Sequence, residues 1–245
     1  MCLIVFAWKV IPAIPLVAAA NRDEFLDRAS APAAPWPDHP QVYAGRDLRA
    51  GGSWMGITRD GAARSRFAAI TNIRAPQERR LDAPSRGALV ADYLAGTMTA
   101  QEYIADLAAG ADAYNGYNLV LGERDTLIWY SNRGRDDERN GQPLVPGIYG
   151  LSNALLDAPW PKVLKTKAQF ASLLCQGAPD EAYFEMLADT ACAPDCRLPD
   201  TGVALEVERA LSAVRIEMPG YGTRCSTVVK LYANAPGELR EVLVE

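Results

Sequence analysis

Histidine is almost absent from this chain: His39 is the one histidine in 245 residues. That scarcity removes an HExxH zinc site, a three-histidine metal centre and a Ser-His-Asp triad, unless His39 itself is the base. His39 lies in Trp36-Pro37-Asp38-His39-Pro40, a proline-rich run that reads as an extended surface loop. A nucleophile in this chain must therefore find a base that is not imidazole. Basic side chains are also in short supply, 25 against 30 acidic ones for a net charge of −5. Phosphate backbones bind basic faces, so no nucleic-acid partner is expected. No apolar run approaches the roughly 18 residues of a membrane-spanning helix, so no membrane span is expected either. Neither GxGxxG nor GxxxxGK[ST] occurs, and Gly51-Gly52-Ser53-Trp54 alone does not make a phosphate cradle.

What is present is the material for a core. The chain is 49% hydrophobic and 22% charged, and no linker, repeat or low-complexity tract divides it, so residues 1–245 read as one globular domain. The five cysteines, Cys2, Cys175, Cys192, Cys196 and Cys225, are odd in number and read as reduced thiols of a cytoplasmic protein. Cys192 and Cys196 have no second ligand pair nearby, so no metal is expected. Oligomeric state leaves no mark in the sequence.

The apolar N-terminus resembles a signal peptide in Ala18-Ala19-Ala20. It lacks a basic leading region, however, and Lys9, Pro12 and Pro15 interrupt it. A β-hairpin explains it better, with strands over Cys2 to Trp8 and Leu16 to Ala20. A turn centred near Pro12 pairs residue i with a residue close to 24 − i, which brings Cys2 beside Asn21, Arg22 and Asp23. Arg22 is placed to favour the thiolate, and Asp23 to orient an amine. If Met1 is removed, that amine is the α-amine of Cys2, whose ordinary pKa of about 7.7–8.0 suits a base near neutrality. The same residues also fit a plainer role, a buried strand cysteine beside a charged strand exit.

Residues Arg28 to Ser53 read as a long polar connection or lid. A second hairpin follows over Trp54 to Thr58 and Phe67 to Thr71, turned by Arg59-Asp60-Gly61. A helix begins near Ser85 with Leu89, Val90, Tyr93 and Leu94 on one face, and Thr99 to Glu102 is a capping box for the next. Hairpin strands Tyr117 to Gly122 and Thr126 to Tyr130, a short strand Ile148 to Ser152, and helices near 160–174, 179–189 and 203–213 come next. Strands Cys225 to Tyr232 and Leu239 to Val244 close the chain. Hairpins with consecutive helices predict an antiparallel α+β layered fold.

Several segments taken together carry a family resemblance. Met1-Cys2, Asn21-Arg22-Asp23-Glu24, Gly45-Arg46-Asp47, Gly51-Gly52-Ser53-Trp54-Met55-Gly56 and Asn115-Gly116-Tyr117-Asn118-Leu119 occur in order. Leu151-Ser152-Asn153, Pro159-Trp160-Pro161-Lys162 and Tyr221-Gly222-Thr223-Arg224-Cys225 follow. The chain thereby resembles the NRDE, or transport-and-Golgi-organisation protein 2, family, which is similar to N-terminal-nucleophile hydrolases of the penicillin V acylase and bile-salt hydrolase type. That resemblance implies a four-layer αββα sandwich and Cys2 as nucleophile after loss of Met1, flanked by Arg22 and Asp23. It also implies Asn72 and Asn153 as oxyanion donors and Arg224 as the late arginine of the pattern. The substrate expected is a linear amide, thioester or ester of a small acyl compound. The order Asn21-Arg22-Asp23-Glu24 differs from the Arg-Asn-x-Asp of the acylases and leaves the acid role open between Asp23 and Glu24. Asn72 and Asn153 also fit as turn caps, and Arg224 as a surface charge. The family's links to haem trafficking and to lipid or coenzyme A metabolism imply a second role, a carrier of haem or another hydrophobic ligand.

Overall fold

The computed structural model describes residues 2–59 and 65–244. The N-terminal hairpin forms as its sequence requires. Strands β1 (Cys2–Ile11) and β2 (Ile14–Phe25) pair antiparallel across a turn at Pro12 and Ala13, with Cys2 opposite Arg22, Leu3 opposite Asn21 and Phe6 opposite Ala18. These two strands are the middle of a six-stranded sheet. On one side β1 pairs with β9 (Gly147–Leu151); on the other, β2 pairs with β11 (Tyr221–Leu231), which carries β10 (Glu217–Met218) and β12 (Glu238–Leu243) on its far edge. A second antiparallel sheet runs β3 (Ser30–Pro35), β4 (Val42–Asp47), β5 (Met55–Thr58), β6 (Phe67–Asn72), β7 (Tyr117–Gly122) and β8 (Leu127–Ser131) in sequence order.

Period-two alternation sorts the side chains between layers. Along β1, Ile4, Phe6 and Trp8 enter the core between the sheets, where they join Met55, Ile57, Phe67 and Trp129. Leu3, Val5 and Ala7 point the other way, against Val163, Phe170, Tyr183 and Leu187 of helices α3 (Pro161–Cys175) and α4 (Asp180–Leu187). The outer face of the second sheet is covered by α1 (Gly87–Ala95) and α2 (Ala100–Ala108) through Leu89, Val90, Tyr93, Leu94 and Ile104. The result is the four-layer αββα arrangement expected, and both faces of each sheet are buried. The predicted capping box at Thr99 and Glu102 is present in both directions.

One expectation is corrected. Residues Arg28 to Ser53 are not a loop or lid throughout, because β3 and β4 lie within them. Pro32 and Pro35 concealed β3, yet an edge strand tolerates missing N–H groups, and β3 is the outermost strand of its sheet. Its free side is met by β12, where Glu241 accepts a hydrogen bond from the Ala33 N–H at 2.8 Å. Helix α5 (Leu205–Leu211) is shorter than its expected span. The Asp60-Gly61 part of the predicted turn, and Met1, lie outside the described residues.

Candidate active site

The hairpin register decides which side of the central sheet each residue of the Asn-Arg-Asp-Glu segment faces. Asn21 pairs with Leu3, so it points to the helical side. Its amide donates to the carbonyls of Leu187 and Val214 at 2.9 Å each, and its oxygen accepts from Ser226 at 2.6 Å. It ties β2 to the end of α4. Arg22, opposite Cys2, points between the sheets: its guanidinium lies 4.1 Å from the Trp54 ring and donates to Ser30 Oγ at 3.2 Å. Asp23 is fully buried, and Oδ1 accepts from Thr223 Oγ1 at 2.7 Å. Glu24 is partly exposed, with Arg28 Nε 3.9 Å away. The two acids are thus sharply different, one enclosed at the strand end and one at the solvent edge.

Cys2 and Arg22 open onto a cavity of about 470 Å³ at the end of the inter-sheet layer. Asp23, Asn72, Ser53, Trp54 and Asn115 line it with them. Its walls hold six arginines, Arg22, Arg28, Arg49, Arg79, Arg80 and Arg86, against the three acids Asp23, Glu24 and Asp47. A molecule of net charge −5 therefore turns a mostly cationic surface toward this one cysteine. Backbone contacts hold the wall in place. Ser53 N–H donates to the Gly87 carbonyl at 3.1 Å. A Cβ on Gly52 would sit 2.3 Å from the Gly87 carbonyl carbon, so only glycine permits this approach to the start of α1. Asn115 clasps Arg80 by two 2.8 Å bonds to its backbone, and Arg86 donates to the Gly116 carbonyl at 2.9 Å.

Electrostatics at the thiol run opposite to the expectation that Arg22 holds it as thiolate. Burial pushes the Cys2 thiol above its ordinary value, the Asp23 carboxylate adds to that, and Arg22 offsets it only in part. Cys2 therefore carries its proton at neutral pH and needs a base to react. Burial also raises Asp23, against the opposing pull of Lys162, Thr223 and Arg74. Desolvation lowers Arg86 to about 10 and Lys162 to about 8.

Asn72, the last residue of β6, lines the cavity beside Cys2. Asn153 stands behind it: its amide donates to the Asn72 carbonyl at 2.8 Å, and its own carbonyl accepts from the Arg74 N–H at 2.8 Å. The neighbouring Ser152 Oγ donates to the Cys2 carbonyl at 3.1 Å. One short segment after β9 thus fastens both the nucleophile's strand and the end of β6. Arg224 is not among the cavity's lining residues. It occupies the irregularity of β11 between Thr223 and Cys225, and its guanidinium donates to the Leu26 carbonyl at 2.5 Å. His39 lies between β3 and β4, outside the cavity's lining residues. Among the described residues no group of three or more His, Cys, Asp and Glu side chains is placed to hold a metal ion.

The family model Transport and Golgi organisation 2 matches residues 1–242. The chain belongs to this family. It is 36% identical over 255 residues to the Transport and Golgi organization protein 2 homolog of Bos taurus, covering 96% of this chain and 90% of that one. The Homo sapiens homolog is 34% identical at the same coverage. The Drosophila melanogaster Transport and Golgi organization protein 2 is 31% identical, over 94% of this chain and 87% of its own. The span matched by this Transport and Golgi organisation 2 family model contains every lining residue of the cavity.

Some of the site was not foreseen. Arg74, Arg86 and Lys162 carried no role in the sequence reading, although Lys162 closes the Pro-Trp-Pro-Lys segment that contributed to the resemblance. A lysine just inside the start of a helix reads as a solvated charge; here it is only 2% exposed. No local pattern marks such burial, because the enclosing groups come from β2, the segment after β6 and α5.

Proposed function

We propose that this protein is a cysteine hydrolase of the N-terminal-nucleophile type, with Cys2 attacking the carbonyl carbon of a small acyl compound. The observation that carries this reading is the position of Cys2: the end of a central strand, paired with Arg22, opening onto a polar cavity that also holds Asp23 and Asn72. The thiol retains its proton at neutral pH, so a base must act on it. In a chain without a nearby histidine, that base is the α-amine of Cys2 once Met1 is excised. The amine takes the thiol proton as sulfur bonds to carbon, then returns it to the leaving nitrogen as the C–N bond breaks. Water, deprotonated by the same amine, cleaves the thioester and frees the acid. Asn72 donates to the oxyanion, a contribution of about 10²–10³ in kcat when such a donor is removed. Asp23 orients the amine, and the arginine-rich walls favour acyl compounds that carry an anionic group.

Turnover of an acyl-amide, thioester and ester panel by wild type and by Cys2→Ala tests this reading. Loss of all turnover in the variant is expected; unchanged turnover refutes it. The alternative role, a haem carrier, draws no support from this cavity. Cys2 is the one soft metal ligand among its lining residues, and its wall is charged where the faces of haem are apolar.

A further inference from the structure

Behind the nucleophile, four charged side chains are enclosed together. Asp23 comes from β2, Arg74 from the segment after β6, Lys162 from the first turn of α3 and Glu208 from α5. Asp23, Lys162 and Glu208 are no more than 3% exposed, and the Arg74 side chain is 5% exposed. Arg74 and Glu208 pair at 2.6 Å, and the Arg74 guanidinium lies 4.7 Å from the Trp160 ring. Lys162 is different. Its Nζ is buried with no hydrogen-bond partner among the described residues, a rare state for a lysine, whose ammonium is normally solvated or bonded. Its backbone is fixed by Pro161 at the helix start and by Thr166, whose hydroxyl donates to the Lys162 carbonyl at 2.7 Å. The groups acting on its charge are Asp23, foremost among the charges, then Arg74, Cys2 and Glu208. An unbonded ammonium in this setting has one evident use, its field at Asp23 and Cys2.

We propose that Lys162 is a positioning residue for the nucleophile: its ammonium, enclosed behind Cys2, offsets the Asp23 charge that opposes ionisation of the thiol, making the thiol more acidic and more reactive. This rests on the reading of Cys2 as nucleophile, but it is tested without any substrate. The Lys162 charge also favours a carboxylate at this buried strand end, where Thr223 donates to Asp23. The Asp23 and Glu208 carboxylates and the Arg74 and Lys162 cations together balance, so loss of the lysine charge leaves the enclosure one positive charge short.

The test measures carbamidomethylation of Cys2 by iodoacetamide from pH 6 to 10, read on the Cys2 peptide by mass spectrometry so that the other thiols do not interfere. Lys162→Met removes the charge at similar volume, and Lys162→Arg keeps it; circular dichroism checks that each is folded. The expected result is alkylation slowed about tenfold at pH 7.5 in Lys162→Met, the difference fading above pH 8 as the wild-type lysine loses its charge, and a near-wild-type rate at pH 7.5 in Lys162→Arg. A folded Lys162→Met with an unchanged profile overturns the proposal, as does equal slowing in both variants. If neither variant folds, the wild-type curve decides. Coupling to a lysine that loses its proton in the same range broadens it beyond a single ionisation, whereas a single-ionisation curve overturns the proposal. Turnover lost in Cys2→Ala with an unmoved alkylation profile in Lys162→Met would reject the lysine's role and leave the nucleophile standing.

Discussion

Replacing Lys162 by methionine produces a stability difference that changes with pH, and both sign and size follow from burial. In the folded protein, desolvation lowers Lys162 from 10.5 to about 8. The unfolded chain therefore holds this proton up to about pH 10.5, while the folded chain releases it near pH 8. Between those values the unfolded state binds more protons, so wild-type stability rises with pH. Below pH 8 the buried ammonium imposes its full cost; above 10.5 the cost is gone. At 1.36 kcal/mol per pKa unit, the gain over that window is about 3 kcal/mol. All other ionisable groups occur in both proteins, so their contributions largely cancel in the difference. Urea unfolding of wild type and Lys162→Met at pH 7, 8, 9, 10 and 10.5 reads the effect directly. The wild type should gain about 3 kcal/mol on the variant from pH 7.5 to 10.5, with most of the change above pH 8. A difference that stays constant across the series would mean that Lys162 titrates normally and is not enclosed as described.

Further consequences follow from the same enclosure and from the cavity wall. Glu208→Gln leaves the Arg74 guanidinium buried without its counter-charge and should cost about 3–5 kcal/mol in urea unfolding; a loss below about 1 kcal/mol would place the pair in solvent. Gly52→Ala drives a methyl group into the Gly87 backbone and should cost about 1–3 kcal/mol, with the α1 end of the cavity displaced and turnover reduced. Asn153→Ala removes the bond to the Asn72 carbonyl. It should lower kcat about 10- to 100-fold with little change in KM, measured by steady-state kinetics on whichever panel compound is turned over.

What could be read from the sequence was local. The β1–β2 register was legible because a proline turn and two short apolar strands leave one pairing that buries both faces, and it placed Arg22 opposite Cys2. The α1 stripe and the Thr99 capping box were legible for the same reason, since their signals lie within one or two helical turns. The β3–β4 hairpin was hidden by prolines that only an edge strand accepts. The roles of Arg74, Lys162 and Glu208 were hidden because they depend on segments far apart in the sequence meeting behind β2. The sign of the Cys2 shift was missed because the pairing with Arg22 could be read from register, whereas the desolvation that outweighs it is a property of the assembled layers. Asn153 was legible as a residue near the site; its bond to the Asn72 carbonyl is visible only in the fold.

The thiol-nucleophile mechanism passes through a covalent thioester on Cys2, and rapid quenching of the protein with a turned-over acyl compound, followed by intact and peptide mass measurement, tests it most directly. An added acyl mass on a Cys2 peptide lacking Met1, absent in Cys2→Ala, is the predicted result; turnover with no acyl mass on Cys2 at any quench time, or with Met1 still attached to the active chain, would contradict it.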